Sequence, residues 1–166
     1  MIIKNFEISK KELDKQNFFL VYGENEGLKN EIIAYLKKKF NGVAENYDEI
    51  QIINDNEMFY EKLFNQSLFE KEKIITINRC SEKILDIIEN IIKKRISDIK
   101  IILNANILEK KSKLRSLFEK DKELVIIPTY KDTSITLVEI AKKFFYNYKI
   151  SISQETINLL VNRCNG

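Results

Sequence analysis

Phe18-Phe19-Leu20-Val21-Tyr22-Gly23-Glu24-Asn25-Glu26-Gly27-Leu28-Lys29 is an apolar run that stops at a glycine, crosses a short polar stretch and enters a new pattern. Its apolar residues stand side by side rather than alternating with polar ones. That is the signature of a strand covered on both faces, as in the centre of a parallel sheet. Beyond the second glycine, Leu28, Ile32, Leu36 and Phe40 recur every four residues, one face of a helix. Strand, glycine turn and helix open a βα unit, and the rest of the chain repeats the theme.

Four further runs read as strands: Glu49–Ile53, Lys73–Asn78, Ile99–Leu103 and Leu124–Pro128. Between them lie helical patterns. Asn56–Phe64 places Phe59 and Leu63 on one side, Ser81 can cap a helix carrying Ile84, Ile88, Ile91 and Ile92, and Leu114, Leu117 and Phe118 mark a shorter helix. Strands alternating with helices at this spacing predict an α/β domain with a parallel five-stranded sheet over residues 1–130. The pattern then changes. Thr133 or Ser134 can cap a helix with Leu137, Ile140, Ala141, Phe144 and Phe145, a short extended piece comes next at Tyr148–Ile152, and Ser153 can cap another helix with Ile157, Leu160 and Val161. Residues 131–166 thus read as a partial helical domain, with an apolar face that calls for more protein beyond it.

Composition excludes several classes of function. Hydrophobic residues make up 44% of the chain and charged residues 32%, while Gly (4) and Pro (1) are scarce. There is no histidine, which removes the commonest general base and zinc ligand. Cys80 and Cys164 form no CxxC pair and read as structural thiols of a reducing compartment. The N-terminus is too charged for a signal peptide and no apolar stretch is long enough to span a membrane, so a cytoplasmic protein is expected. The net charge is +3, and cations and anions nearly match on both sides of residue 130. Stand-alone nucleic-acid binding, which rests on many cations acting together, is disfavoured.

The loop after the first strand occupies the place of a phosphate loop but lacks its chemistry. A working loop reads GxxxxGK[ST]: glycine leaves room for phosphate, lysine reaches the β/γ-phosphates and the hydroxyl holds magnesium. Here Gly23 and Gly27 enclose three residues instead of four, Leu28 stands where lysine is required, and Asn30 comes after Lys29 where a hydroxyl is required. Glu24 and Glu26 add negative charge beside any polyphosphate. The third strand ends in Ile77-Asn78-Arg79-Cys80, without the carboxylate of a metal-holding segment. The two glycines read simply as residues that permit a tight turn. No ATP hydrolysis, cofactor or metal is expected.

Asn65-Gln66-Ser67-Leu68-Phe69 falls outside either periodicity and runs into charged Glu70-Lys71-Glu72-Lys73. Leu68 and Phe69 either cover the sheet edge or form an exposed wedge for a partner's pocket. In this context the chain resembles the delta-subunit family of bacterial DNA polymerase III clamp loaders. LVYGENEGLK (residues 20–29) is similar to that family's degenerate loop. QSLF (residues 66–69) is similar to its clamp-contacting element. The stretch from Ile101 to Leu114 resembles its fourth strand and the next helix, and the run Leu124–Tyr130 resembles its fifth strand entering the lid domain.

The resemblance implies an AAA+-like α/β core, then the start of a helical lid domain, with the family's C-terminal collar domain absent. It implies a non-catalytic subunit that opens the beta sliding clamp. Leu68 and Phe69 would enter the clamp, with Gln66 and Ser67 shaping the turn and Lys71, Lys73 and Arg79 at the rim. Other loader subunits would be partners through the missing region, and DNA only indirectly. Asn104 stands near an AAA+ sensor position and, with no nucleotide expected, reads as a strand-end or capping residue. Three rival readings remain open: an atypical P-loop nucleotide-binding protein, a nucleic-acid-binding module, and a delta-prime-like structural subunit. Against the last, the closely spaced zinc-ligand cysteines are lacking.

Overall fold

The computed structural model describes residues 1–40, 42–64, 73–94, 96 and 98–164. The chain divides into two compact units, Met1–Thr129 and Tyr130–Gly166. The first holds five strands, β1 (Phe18–Gly23), β2 (Val43–Asp48), β3 (Lys73–Cys80), β4 (Ile99–Ala105) and β5 (Val125–Thr129). They form one parallel sheet in the order β2-β3-β4-β1-β5. Around it lie α1 (Glu26–Phe40), α2 (Glu49–Asn54), α3 (Asn56–Phe64), α4 (Leu85–Lys93) and α5 (Lys113–Lys120). A 3-10 helix, Asn5–Lys10, precedes β1, and another, Glu82–Ile84, leads into α4.

The run of successive apolar residues in β1 is split between two cores. Phe18, Leu20 and Tyr22 face one layer with Ile75, Ile77, Ile101 and Leu103, against Phe59 and Leu63 of α3, Ile88 and Ile91 of α4 and Phe118 of α5. Phe19 and Val21 face the other layer with Ile74, Ile102 and Ile127, against Ile32, Ile33, Leu36 and Phe40 of α1. Ile3, Ile8 and Leu13 of the N-terminal segment complete that second layer. Side chains alternate across a strand, so a strand buried on both faces must be apolar throughout. Pro128 sits in β5, at the sheet edge, where a missing N–H costs no ladder bond.

The second strand departs from the sequence expectation. Glu49–Ile53 lies in helix α2, and the strand is the preceding segment, Val43–Asp48. Asp48 occupies the N-cap, and its N–H donates to Gln51 Oε1 at 2.9 Å, half of a capping box three residues apart. Ile52 turns inward while Ile50 and Ile53 are 63% and 38% exposed, so the apolar run is the surface of a short helix. Strand β2 pairs only with β3. An edge strand needs no continuous apolar run, and its polar residues are engaged: Glu45 with Lys73 at 3.4 Å, Asn46 with Lys37 at 2.8 Å.

One charged residue is buried in the sheet. Lys100 of β4 is sunk at the amino end of the strands, where its Nζ donates to the carbonyls of Asp14 (2.6 Å) and Gln16 (3.0 Å) and to Asn17 Oδ1 (2.9 Å). The Phe40 ring lies 5.1 Å from the ammonium. A buried ammonium is tolerated only when its donors are used, and this one ties the segment before β1 to the sheet.

The second unit holds α6 (Ser134–Asn147) and α7 (Gln154–Cys164). Thr133 caps α6, accepting from Thr136 N at 3.2 Å, and Ser153 Oγ accepts from Thr156 N at 3.2 Å at the start of α7. The piece between them is not a strand. Lys149, at φ 55°, makes the turn that ends α6, and Ile150 N donates to the Phe145 carbonyl at 2.9 Å.

Two substitutions test these supports. Gly23 has φ 138°, and a Cβ there would lie 2.0 Å from the Thr129 carbonyl oxygen. Gly23→Ala is expected to lower unfolding free energy by about 3 kcal/mol. Lys100→Met, which strips three oxygens of their donor, is expected to cost about 2–4 kcal/mol. Lys111→Met, at an exposed position, serves as the comparison and should stay within about 0.5 kcal/mol of the parent. Urea denaturation monitored by circular dichroism measures all three, and equal midpoints for Lys100→Met and Lys111→Met would refute the account of Lys100.

Candidate functional site

The sheet order makes the carboxyl ends of β1 and β4 the place where successive crossovers diverge, the usual ligand crevice of an open α/β sheet. Strand β1 leaves the sheet at Gly23, whose N–H donates to the Asn106 carbonyl at 3.2 Å. Asn25 then starts α1: its Oδ1 accepts from Leu28 N at 3.0 Å and its carbonyl accepts from Lys29 N at 2.9 Å. Lys29 does not point to solvent. It is 1% exposed, with Nζ 2.7 Å from the Glu26 carboxylate, 3.1 Å from the Ala105 carbonyl and 3.4 Å from Asn106 Oδ1. The ammonium is therefore engaged within the protein.

The two glycines differ. Gly23 needs its left-handed conformation and its close approach to Thr129. Gly27 lies in the first turn of α1 with no positive φ, and an added Cβ would meet only Asn25 Oδ1, at 3.6 Å. The expectation that both permit the turn is corrected: the turn rests on Gly23 alone.

At the end of β3, Asn78 and Asn104 bond side chain to side chain at 3.2 Å across neighbouring strands, so Asn104 caps no helix. Asn104 Oδ1 is buried without a hydrogen-bond partner. Arg79, at φ 57°, reaches back to Asp48. Beyond lies a cleft of about 810 Å³ between Arg79–Asp86 and Asn106–Lys113. Carboxylates occupy its helix starts: Glu49 accepts from Ser81 N (2.6 Å) and Oγ (2.8 Å), and Glu82 accepts from Lys113 N (3.1 Å) and Leu114 N (3.2 Å). Burial pushes the Cys80 thiol well above its ordinary pKa, and its Sγ donates to the Ile77 carbonyl. Buried and protonated, it is a poor nucleophile.

Gln66, Ser67, Leu68 and Phe69 lie outside the described residues, as does Lys71. The residues at both ends of that segment are described, and they sit together: Lys73 Nζ donates to the Lys62 carbonyl at 3.1 Å. Lys73 is also paired with Glu45 at 3.4 Å and is largely buried. Arg79 lies six residues further along β3, about 20 Å away at the opposite end of the strand. The rim role expected of Lys71, Lys73 and Arg79 turns on residues 66–69, which lie outside the described residues. A cation the sequence reading missed does lie nearby. Lys94, just past α4, places its ammonium 4.2 Å from the Phe64 ring centroid and 5.2 Å from that of Tyr60. These two rings stack at 6.0 Å and 10°. The i, i+4 spacing of Tyr60 and Phe64 was visible in the sequence; their meeting with Lys94 was not.

Among the described residues no cluster of His, Cys, Asp and Glu is arranged to hold a metal ion, and no helix is long and apolar enough to cross a membrane. No family model matches the sequence, and no curated protein does. Solved structures do resemble the fold. The chain is similar to the Bacillus subtilis DNA clamp loader delta protein (YqeN), with TM-score 0.58 and 15% identity over 95% of this chain and 51% of that one. It is similar also to domain III of the Thermotoga maritima replication initiation protein DnaA, with TM-score 0.53 and 14% identity over 95% of this chain and 72% of that one. The chain thus spans about half the length of the delta protein. The fold is α/β, a five-stranded parallel sheet flanked by helices, and it matches that of both proteins.

Proposed function

We propose that this chain acts in DNA replication as a non-catalytic clamp-loader arm of the delta type, which binds the beta sliding clamp and favours its opening. The observation that carries the reading is the engagement of Lys29 within the protein. In an AAA+-like fold, the lysine nearest the phosphate position is buried against Glu26, Ala105 and Asn106, and Asn78 and Asn104 bond to one another where metal and nucleotide would be sensed. Such a fold retains its scaffold while its nucleotide chemistry is spent on packing. Function then falls to a surface, and Gln66-Ser67-Leu68-Phe69 is the segment whose composition fits one.

On this reading Leu68 and Phe69 enter an apolar pocket of the clamp, while Gln66 and Ser67 shape the turn and bond to the clamp backbone. Burying each anchor is worth roughly 1.5–3 kcal/mol, a large part of the about 8 kcal/mol behind micromolar affinity. The wedge promotes opening only by binding the sprung ring more tightly than the closed one, since a ligand shifts an equilibrium by its differential affinity alone. Residues 131–166 are the start of a lid domain, and the remaining loader subunits and DNA are reached through protein beyond it.

Surface plasmon resonance against the cognate clamp tests the proposal. The Leu68→Ala/Phe69→Ala variant should bind about 100-fold more weakly with an unchanged melting temperature. A parent chain that does not bind, or a variant that binds equally well, overturns it. Millimolar Mg-ATP should move the melting temperature by less than about 1 °C, because only a ligand that binds the folded state stabilises it. A rise of several degrees would favour the atypical P-loop nucleotide-binding reading instead.

A further inference from the structure

We propose that the amino end of the sheet, on the α1 side, is a contact for the phosphate backbone of duplex DNA. This goes beyond the proposed function, in which DNA is reached only through protein beyond residues 131–166, and it rests on residues distinct from those of the clamp wedge. The chain as a whole is nearly neutral, but the fold gathers its positive excess in one place. Residues 1–17 and 31–40 hold seven lysines against the carboxylates of Glu7, Glu12, Asp14 and Glu31, an excess equal to the net charge of +3 of the whole chain. The two stretches meet in the folded protein. Lys39 of α1 lies 3.5 Å from the Asp14 carboxylate, and the buried Lys100 holds the Asp14 and Gln16 carbonyls beside the Phe40 ring. Ile8 and Leu13 pack in the same layer as Leu36 and Phe40 of α1.

The chemistry of this face selects its partner. Lys10, Lys11, Lys15 and Lys38 are exposed, and among the described residues no carboxylate pairs with them. Lys37 and Lys39 are half-buried and already engaged, with Asn46 at 2.8 Å and with Asp14. Like charges held near one another by a packed scaffold raise a positive potential, which an external anion relieves. A phosphate backbone supplies several anions at once, and its affinity comes from several cations neutralising them together. Other polyanionic surfaces fit less well. A membrane calls for apolar side chains among the cations, and between Lys10 and Lys15 the one apolar residue, Leu13, is turned into the core. A single strand calls for aromatic platforms, and among the described exposed side chains of the two stretches only Tyr35 is aromatic.

Fluorescence anisotropy of a labelled duplex of about 20 base pairs tests the proposal with the whole chain, from about 0.05 M salt upward. The parent should bind with Kd between about 1 and about 100 µM, and log K should fall with log salt at a slope of about −3 to −4, four lysines at about −0.9 each. Lys10→Glu/Lys11→Glu/Lys38→Glu changes only exposed side chains and should keep the parent's melting temperature. It is expected to weaken binding at least about tenfold and to flatten the slope to about −1. Lys110→Glu/Lys111→Glu/Lys113→Glu makes the same change of charge beyond the carboxyl end of β4 and should bind within about threefold of the parent. A parent chain that does not bind at about 100 µM overturns the proposal. So do two triple variants that lose affinity equally, because net charge and not this face would then govern binding. If vesicles of phosphatidylserine and phosphatidylcholine take up the parent as well as the duplex does, and lose it equally on Lys10→Glu/Lys11→Glu/Lys38→Glu, the face belongs to lipid and the proposal falls. No clamp is present in these measurements, so their failure leaves the wedge untouched, and failure of the wedge leaves them untouched.

Discussion

A parallel sheet covered on both faces sets the terms for the rest of this molecule. Once Phe18 and Phe19 are committed to opposite layers, interior strands are apolar on most successive residues, and buried charges are confined to strand ends and helix starts. The two buried lysines are the consequence. Lys100 satisfies carbonyls at the amino end of β4, and Lys29 does so at the carboxyl end, with Glu26 balancing its charge. Both are long side chains whose stems cross apolar layers to put an ammonium where main-chain oxygens would otherwise lack donors.

The same constraint bears on the turn after β1. In a working phosphate loop the backbone N–H groups and the lysine are held for a ligand. Here Gly23 N–H is given to Asn106, and Lys29 to β4. The carboxylates at the starts of α5 and of the helix leading into α4 obey the same logic, since Glu82 and Glu49 occupy positions that anions favour.

Compared with the end where β1 and β4 stop, the sheet is packed differently at its amino end. There α3 and α4 end beside the start of β3, and Tyr60, Phe64 and Lys94 assemble from two separate helices. Tyr60 and Phe64 belong to α3, and Lys94 is the residue that ends α4.

The sequence by itself determined the α/β class, four of the five strands and every α-helix but α2, because interior strands and amphipathic helices imprint a period set by burial. It also determined that residues 23–30 do not read as a phosphate loop, which is a matter of residue identity and spacing alone. Strand β2 escaped it, because an edge strand has one partner and can be polar, while Glu49–Ile53 carried the apolar residues of a short helix started by Asp48 and Gln51. Only the tertiary structure decided where Lys29 and Lys100 put their charges, which glycine was indispensable, that Lys73 and Arg79 lie at opposite ends of one strand, and that Lys94 meets Tyr60 and Phe64. Each of these depends on residues far apart in the chain being brought within a few ångströms, a relation that no local period records.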